Sequence, residues 1–244
     1  MYAFGRKGVF MEEDMERKEV YGAGRTADVP AVLDVKGQYN IFTDASTMNK
    51  GNVIVTGAQY IIIKDRMPVD SGFALGTSLG STGGELYAIC LGLEGALRHG
   101  TKAAQYNLFS DSLSCINILR RGPGNIIGWD EKPIREMTGQ SRLIEACLYR
   151  RVFTLLKEGL HVDFYHQPGH CSSQSGTGIF QCIQTFQRHN NGTKIDFATA
   201  EMLCYYNDFA DRRARIHLTA AMKNRHFFDP AWQQPLTSWM AAAG

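Results

Sequence analysis

Short apolar runs rich in β-branched residues, separated by glycine and polar turn residues, dominate the chain from Tyr39 to about residue 79. This pattern is typical of strands joined by tight turns. We predict three strands that form an antiparallel meander: YNIFT (39–43), NVIVTGAQYIII (52–63) and SGFALGTSL (71–79).

From residue 85 the apolar positions change to a helical period. One face of a predicted helix at 85–100 carries Leu86, Ile89, Leu93 and Leu97. Later segments predict strands at 106–110 and 161–166, helices at 111–122, 141–159 and about 207–225, and a short helix around 180–187. The main order, β-β-β-α-β-α-α-β-α, favours an α/β fold. We expect a mixed five-stranded sheet, with three antiparallel strands followed by β-α-β crossovers and helices on both faces.

The same pattern divides the chain into three parts. Residues 1–36 are charged and weakly periodic, which indicates an N-terminal extension. Residues 37–226 hold the predicted elements and form one domain, with a poorly patterned insertion at about 171–203. Residues 227–244 contain two prolines and no periodicity, which indicates a C-terminal tail.

The composition is that of an ordinary globular protein, with 244 residues of which 44% are hydrophobic and 20% charged. The net charge of +2 means that any nucleic-acid surface must be a local basic patch. No apolar run approaches the ~18–20 residues that span a bilayer, and the N-terminus lacks the apolar core of a secretory signal. We therefore expect a cytoplasmic protein that does not associate with membranes, and we take it to be a monomer.

Six cysteines are scattered along the chain without a CxxC pair: Cys90, Cys115, Cys147, Cys171, Cys182 and Cys204. A disulfide framework is not expected in a chain of this length. One segment combines cysteines with histidines, namely His166, His170, Cys171, Cys182 and His189. Because this spacing matches no standard zinc finger or ribbon, reduced thiols are favoured and zinc is the alternative.

Acidic residues stand where three predicted elements begin or end. Asp44 and Asp111 each follow an apolar strand, and Glu85 opens a helix. If the two strands are parallel neighbours, both aspartates meet at one edge of the sheet, where a packed helix can add Glu85. Converging carboxylates cannot all stay ionised without a cation. Hard oxygen ligands favour Mg²⁺ or Mn²⁺.

Five short motifs follow one another along the chain: IFTDAS, GGELYA, FSDS, QPGH and NDFADRRA. Together, over roughly residues 38–218, they resemble ribonuclease H of type 1. The resemblance implies a ribonuclease H-like fold that hydrolyses the RNA strand of an RNA–DNA hybrid and leaves 5′-phosphate and 3′-hydroxyl ends. It also implies two divalent ions, Mg²⁺ or Mn²⁺, as cofactors.

By this resemblance, the ions are held by four carboxylates: Asp44, Glu85, Asp111 and Asp211. The family's loop histidine corresponds to His170, which can relay a proton or assist product release. Asp211 fits the spacing of the last motif, whereas Asp208 is expected to cap the start of the helix. Residues expected to contact nucleic acid are Ser46, Thr47, Ser81, Thr82, Ser112 and Asn207.

Several of these residues have a purely structural alternative. Glu85 and Thr82 fit a capping box, T-x-x-E, in which Glu85 only bonds the helix start. Asp111 can be an N-cap and Asp44 a turn aspartate. His161 and His166 are expected to be ordinary strand residues. Basic pairs at 6–7, 150–151 and 212–213 can bind a hybrid or simply be solvated.

The tail and the overall function also have alternatives. The pattern Gln233-x-x-Leu236-x-x-Trp239-Met240 resembles a peptide that binds a sliding clamp, and the alternative is a tail that packs on the domain. The rival functions are another nuclease of the same fold, similar to a transposase, integrase or resolvase, and a module that binds nucleic acid without cutting it. The intact carboxylate set favours hydrolysis.

Overall fold

The computed structural model of the chain describes residues 32–50, 53–77, 79–99, 104–122, 140–169, 171, 176–224 and 239. Its five strands are β1 (Tyr39–Lys50), β2 (Val53–Lys64), β3 (Met67–Thr77), β4 (Gln105–Ser110) and β5 (His161–His166). Five helices accompany them: α1 (Ser81–Arg98), α2 (Leu113–Arg121), α3 (Gln140–Lys157), α4 (Gly176–His189) and α5 (Phe197–Asn224). Among these helices, none is long and apolar enough to cross a bilayer.

The strands form one sheet in the order β3-β2-β1-β4-β5. The first three strands pair antiparallel, whereas β4 runs parallel to both β1 and β5. This confirms the predicted α/β class with a mixed five-stranded sheet. The register pairs Phe42 with Phe109, two residues before Asp44 and Asp111 respectively, so both aspartates lie at the same level, just beyond the parallel pairing of β1 and β4.

Apolar side chains cover both faces of the sheet, because successive residues of a strand point to opposite sides. On one face, Ile41 and Ile62 are buried with residues of α1 and α3. On the other face, Phe42 and Ile61 are buried with residues of α4 and α5. The predicted helices on both faces are therefore confirmed.

Strand β1 is longer than its sequence predicts. The apolar run stops at Thr43, but the antiparallel ladder with β2 continues until Lys50 pairs with Val53. Backbone hydrogen bonds across a tight hairpin do not require apolar side chains, so the polar residues after Thr43 still form a strand. Asp44 therefore lies within a strand, and the alternative that it is a turn aspartate is wrong.

The segment 171–203 is more regular than expected. Helix α4 extends beyond the predicted 180–187 and buries Ile179, Cys182 and Phe186, which recur at helical spacing. Helix α5 begins ten residues earlier than predicted, where the side chain of Asp196 accepts the Thr199 N–H at 2.7 Å as an N-cap. The domain boundaries stay a prediction, since residues 1–31 and nearly all of 225–244 lie outside the described residues.

Candidate metal centre

Three carboxylates from three separate elements meet at the end of the parallel strand pair. Asp44 comes from β1, Glu85 from α1 and Asp111 from the residue after β4. One oxygen of each lies within 4.8 Å of the others. The parallel register sets the two aspartates side by side, and α1 adds the glutamate from one face of the sheet.

Glu85 reaches the centre because α1 packs closely on the sheet at Gly84. A Cβ atom on Gly84 would lie 2.9 Å from Thr56 Cγ2 and 3.2 Å from Ala45 Cβ, so only glycine fits without a shift. The Ala45 N–H donates to Glu85 Oε1 at 3.3 Å, and Ser110 Oγ donates to Glu85 Oε2 at 3.4 Å. The sheet thus fixes the orientation of this carboxylate.

Neither capping alternative matches the helices. The N-cap of α1 is Gly80, so Glu85 lies in the second turn and the capping-box alternative with Thr82 is wrong. The N-cap of α2 is Ser112, so Asp111 stands one residue before the cap. Neither carboxylate therefore serves as a helix cap.

Burial and mutual repulsion make the cluster costly to ionise. Asp44 is only 5% exposed. Its pKa is raised to about 8, first by burial and then by the charges of Asp111 and Asp211. Burial, followed by the charges of Asp44 and Asp111, also raises the pKa of Glu85 well above its ordinary value. A divalent cation relieves this repulsion, and an all-oxygen donor set fits Mg²⁺ or Mn²⁺.

Asp211 faces the same centre from α5 without joining the closest group of oxygens. Its charge contributes to the raised pKa of Asp44, and both of its oxygens accept from Arg215 Nη2 at 2.9 Å. Asp208 instead pairs with Arg212 at 2.8 Å, and its side chain is 45% exposed against 22% for Asp211. Asp208 lies about three turns into α5, so its predicted role as a cap at the helix start is wrong.

His170 lies outside the described residues, so its predicted role stays a prediction. The residue before it, Gly169, packs directly on the centre. A Cβ atom on Gly169 would lie 2.6 Å from Asp111 Oδ2. The loop after β5 therefore reaches the carboxylates with its backbone.

His166, predicted to be an ordinary residue of β5, contacts the backbone of a candidate metal ligand. It is buried, and its Nε2 lies 3.1 Å from the Asp111 carbonyl oxygen. Because a carbonyl only accepts, Nε2 carries the proton, and Nδ1 accepts from His189 Nδ1 at 3.0 Å. Burial, followed by the neighbouring His189, lowers the pKa of His166 to about 4. The neutral ring thus holds the backbone of Asp111, and sequence alone gave no signal for this contact.

The residues predicted to contact nucleic acid differ in exposure. Thr47 and Ser81 are exposed, and three others are partly exposed: Ser46, Thr82 and Ser112. Asn207 is buried at 6% exposed, and its Oδ1 has no hydrogen-bond partner among the described residues. Because its side chain is buried, Asn207 is not accessible to a nucleic acid bound at the surface.

Within the tail, only Trp239 is described. Its ring packs edge-on against Tyr87, with centroids 5.5 Å apart, and the Arg151 guanidinium lies 6.0 Å from its centroid. Arg151 also pairs with Glu94 at 2.7 Å. These contacts favour a tail that packs on the domain, and clamp binding through Gln233–Met240 stays a prediction. Arg151 therefore contacts Glu94 and Trp239 of its own chain, which does not favour a role for it in binding the hybrid.

No model of a known protein family matches the chain, and no curated protein matches it. Similar solved structures include RNase H1 from the halophilic archaeon Halobacterium salinarum NRC-1, at 16% identity over 64% of this chain and 99% of that chain, with a TM-score of 0.38. Another is LC11-RNase H1 in complex with RNA/DNA hybrid, at 15% identity over 61% and 98%, with a TM-score of 0.41. A third is the foamy viral protease-reverse transcriptase in complex with RNA/DNA hybrid, at 12% identity over 70% and 21%, with a TM-score of 0.41. At these identities the similarity concerns only the fold, and at these TM-scores it says nothing about activity.

Proposed function

We propose that the chain is a metal-dependent endoribonuclease that hydrolyses the RNA strand of RNA–DNA hybrids. The observation that carries the proposal is the convergence of Asp44, Glu85 and Asp111 within 4.8 Å, where the parallel pairing of β1 and β4 ends. The same three carboxylates stand in the motifs that resemble those of ribonuclease H of type 1. Burial and the charges of neighbouring carboxylates raise the pKa of Asp44 and of Glu85, and a divalent cation would relieve this repulsion.

Asp44, Glu85, Asp111 and Asp211 are the residues that would hold two Mg²⁺ or Mn²⁺ ions. When bound, such ions neutralise charge on the scissile phosphate and provide a water nucleophile at neutral pH. The products are a 5′-phosphate and a 3′-hydroxyl. His170, next to the loop backbone at Gly169, is proposed to relay a proton or assist product release.

Other side chains keep the carboxylates oriented. Ser110 and the Ala45 N–H fix the two oxygens of Glu85. His166 holds the backbone of Asp111, and Arg215 holds the carboxylate of Asp211. Rigid support of this kind lowers the cost of arranging the ligands when substrate binds.

The hybrid is proposed to bind across the rim of this centre. Helix α5 exposes Arg212, Arg213 and Arg215 beside Asp211. Because Arg212 and Arg215 pair with Asp208 and Asp211, Arg213 is the arginine of this face that we propose to contact phosphate. The hydroxyls of Ser81 and Thr82 at the start of α1 can bond the 2′-hydroxyl groups that distinguish RNA from DNA. Ser46, Thr47 and Ser112 extend the polar rim.

The test is cleavage of three duplexes of one sequence: an RNA–DNA hybrid, double-stranded RNA and double-stranded DNA. Each is incubated with Mg²⁺, with Mn²⁺ and with EDTA. We expect internal cuts in the RNA strand of the hybrid only, and none in EDTA. Cleavage of duplex DNA in preference to the hybrid would favour another nuclease of the same fold. Binding without any cleavage would favour the non-cutting module.

A further inference from the structure

Three of the six cysteines come together away from the carboxylates. Cys171 lies in the loop after β5, Cys182 on α4 and Cys204 on α5. Their sulfur atoms all lie within 4.8 Å of one another. They are separated by up to 33 positions in sequence, so only the packing of α4 against α5 and the loop brings them together.

The surroundings of this cysteine cluster exclude water on most sides. Cys182 is 1% exposed and Cys204 is 2% exposed, and both belong to the apolar cluster that includes Phe186 and Leu203. Cys171 is partly exposed. The cluster therefore has a dry interior and one side open to solvent.

The other three cysteines are single. Cys90 Sγ donates to the Leu148 carbonyl at 3.4 Å, and Cys115 Sγ lies 3.7 Å from the Thr82 carbonyl. Cys147 is buried on α3 and belongs to no group of metal-binding side chains among the described residues. Among the described residues, Cys171, Cys182 and Cys204 form a group that can hold a metal ion, whereas these three cysteines belong to no such group.

The three thiols interact with one another. Hydrogen bonding, first to Cys182 and then to Cys171, lowers the pKa of Cys204, whereas burial raises the pKa of Cys171. A bound metal ion would deprotonate all three, because a coordinating thiol is a thiolate.

We propose that Cys171, Cys182 and Cys204 bind one Zn²⁺ ion and form a structural metal site. Zn–S bonds of about 2.3 Å place the sulfurs of a tetrahedral site about 3.8 Å apart, so the cluster needs to contract by about 1 Å at most. Binding converts three thiols to thiolates and releases their protons to solvent, with no change in oxidation state. The described residues supply three of the four ligands of a tetrahedral zinc site.

This site replaces the zinc grouping considered from sequence. His166 and His189 pair with each other through their Nδ1 atoms, whereas Cys204, which that grouping omitted, joins Cys171 and Cys182. The metal would link α4, α5 and the loop after β5. That loop packs on Asp111 through Gly169, so the site stabilises the side of the fold that supports the carboxylates.

The test is Co²⁺ and Zn²⁺ titration of the full chain, stripped of metal and kept reduced without oxygen. Excess Mg²⁺ is present to occupy the carboxylate centre. We expect a thiolate-to-cobalt absorption band that saturates at about one Co²⁺ per chain and disappears when Zn²⁺ is added. Because carboxylates give no such band, the result does not depend on the proposed nuclease activity.

Variants assign the band to the cluster. Cys182→Ser should abolish it, and Cys171→Ser should weaken metal binding by more than the ~10–100-fold typical of outer-shell partners. Because Cys171 is partly exposed, its variant folds even if the Cys182 variant does not. Cys147→Ser, a buried cysteine outside the cluster, should bind like the wild type.

Two results would overturn the proposal. The first is a wild-type protein that shows no thiolate band although its thiols are reduced. The second is a band that survives both Cys171→Ser and Cys182→Ser. A disulfide between two of the three cysteines in protein isolated without reductant, with no band after reduction, would identify a redox pair instead.

Discussion

The carboxylate centre and the cysteine cluster each draw three side chains from three separate elements, but they lie in different surroundings. The carboxylates meet where the parallel pairing of β1 and β4 ends, with Glu85 and Asp111 partly exposed. The thiols lie among apolar side chains between α4, α5 and a loop, with two of three fully buried. Hard oxygen donors at an open edge suit an ion that meets substrate, whereas soft donors in a dry core suit an ion that holds structure.

The two sites also differ in what the rest of the fold supplies. The backbone N–H of Ala45 and a buried histidine orient the carboxylates. The thiols are oriented mainly by the packing of two helices. We therefore expect damage to the first site to change activity at constant stability, and damage to the second to change stability.

The largest expected effect is the loss of activity in Asp44→Asn. The amide keeps the size of the side chain but removes the charge that a cation requires, so the rate of hybrid cleavage should fall by at least about 10²–10³-fold. Circular dichroism and thermal unfolding should show a folded protein. An active Asp44→Asn variant would place the chemistry elsewhere.

The next effect separates two aspartates in the same helix. Asp211 and Asp208 each pair with an arginine four residues later, so the two Asn variants lose the same kind of ion pair. Asp211→Asn should reduce hybrid cleavage by about 10–100-fold, the size typical of groups that support a metal centre. Asp208→Asn should change it by less than about twofold, because an exposed ion pair contributes at most about 1 kcal/mol of stability.

Equal activity losses in the two variants would show that α5 contributes to the centre only through its overall fold. If both variants kept full activity, Asp211 would not be a metal ligand, and the centre would consist of Asp44, Glu85 and Asp111. Steady-state rates on the hybrid, measured over a range of Mg²⁺ concentrations, distinguish a weakened metal site from a slowed chemical step.

A smaller effect tests how Glu85 reaches the centre. Gly84→Ala forces a contact of 2.9 Å with Thr56 Cγ2 unless α1 moves away from the sheet. A displacement of this kind should lower hybrid cleavage by about 10-fold or more and the free energy of unfolding by about 1–3 kcal/mol. Gly176→Ala is the control, since no atom lies within 4 Å of its added Cβ. Activity that is unchanged in Gly84→Ala would show that Glu85 does not depend on this close approach.

The last effect is a pH dependence of stability in EDTA. The pKa of Asp44 is raised from 3.8 to about 8, so between these values the folded protein binds a proton that the unfolded chain releases. The contribution is fully present below about pH 4 and is lost as pH rises through about 8. Thermal unfolding in EDTA should therefore show stability that falls across this range, with each kcal/mol worth about 2–4 °C.

Mg²⁺ and the Asn variant should both reverse this trend. Mg²⁺ at pH 8 should raise the melting temperature of the wild type by binding the ionised carboxylates. Asp44→Asn should flatten the pH dependence and be more stable than the wild type in EDTA. A wild-type stability that rises between pH 4 and pH 8 would contradict the assigned environment of Asp44.

The sequence predicts the carboxylate centre better than the cysteine cluster for a physical reason. Asp44 and Asp111 follow apolar strands, and parallel strands end at one edge, so local pattern and topology together bring them near each other. Gly84 affects the position of Glu85 because it lets α1 pack closely on the sheet. The spacing of apolar residues in the sequence does not show how close this packing is.

The misplaced start of α5 shows the limit of reading periodicity alone. The apolar pattern before residue 207 is weak, so periodicity places the start of α5 too late and Asp208 in the first turn, although Asp196 is the N-cap. The spacing of the last motif points to Asp211 regardless of where the helix begins, and its role as a metal ligand stays a prediction. Cys204 joins its partners only through helix packing, and His166 contacts Asp111 through a backbone carbonyl, so neither relation is visible in sequence.

The central claim is that the carboxylate centre cuts RNA with the help of a divalent ion. The most direct measurement follows the RNA strand of a hybrid with wild-type protein and Asp44→Asn side by side, in Mg²⁺ and in EDTA, and identifies the ends of the products. We predict internal cleavage by the wild type in Mg²⁺ alone, with 5′-phosphate and 3′-hydroxyl ends. Cleavage that persists in EDTA or in Asp44→Asn, or products with 3′-phosphate ends, would contradict the account.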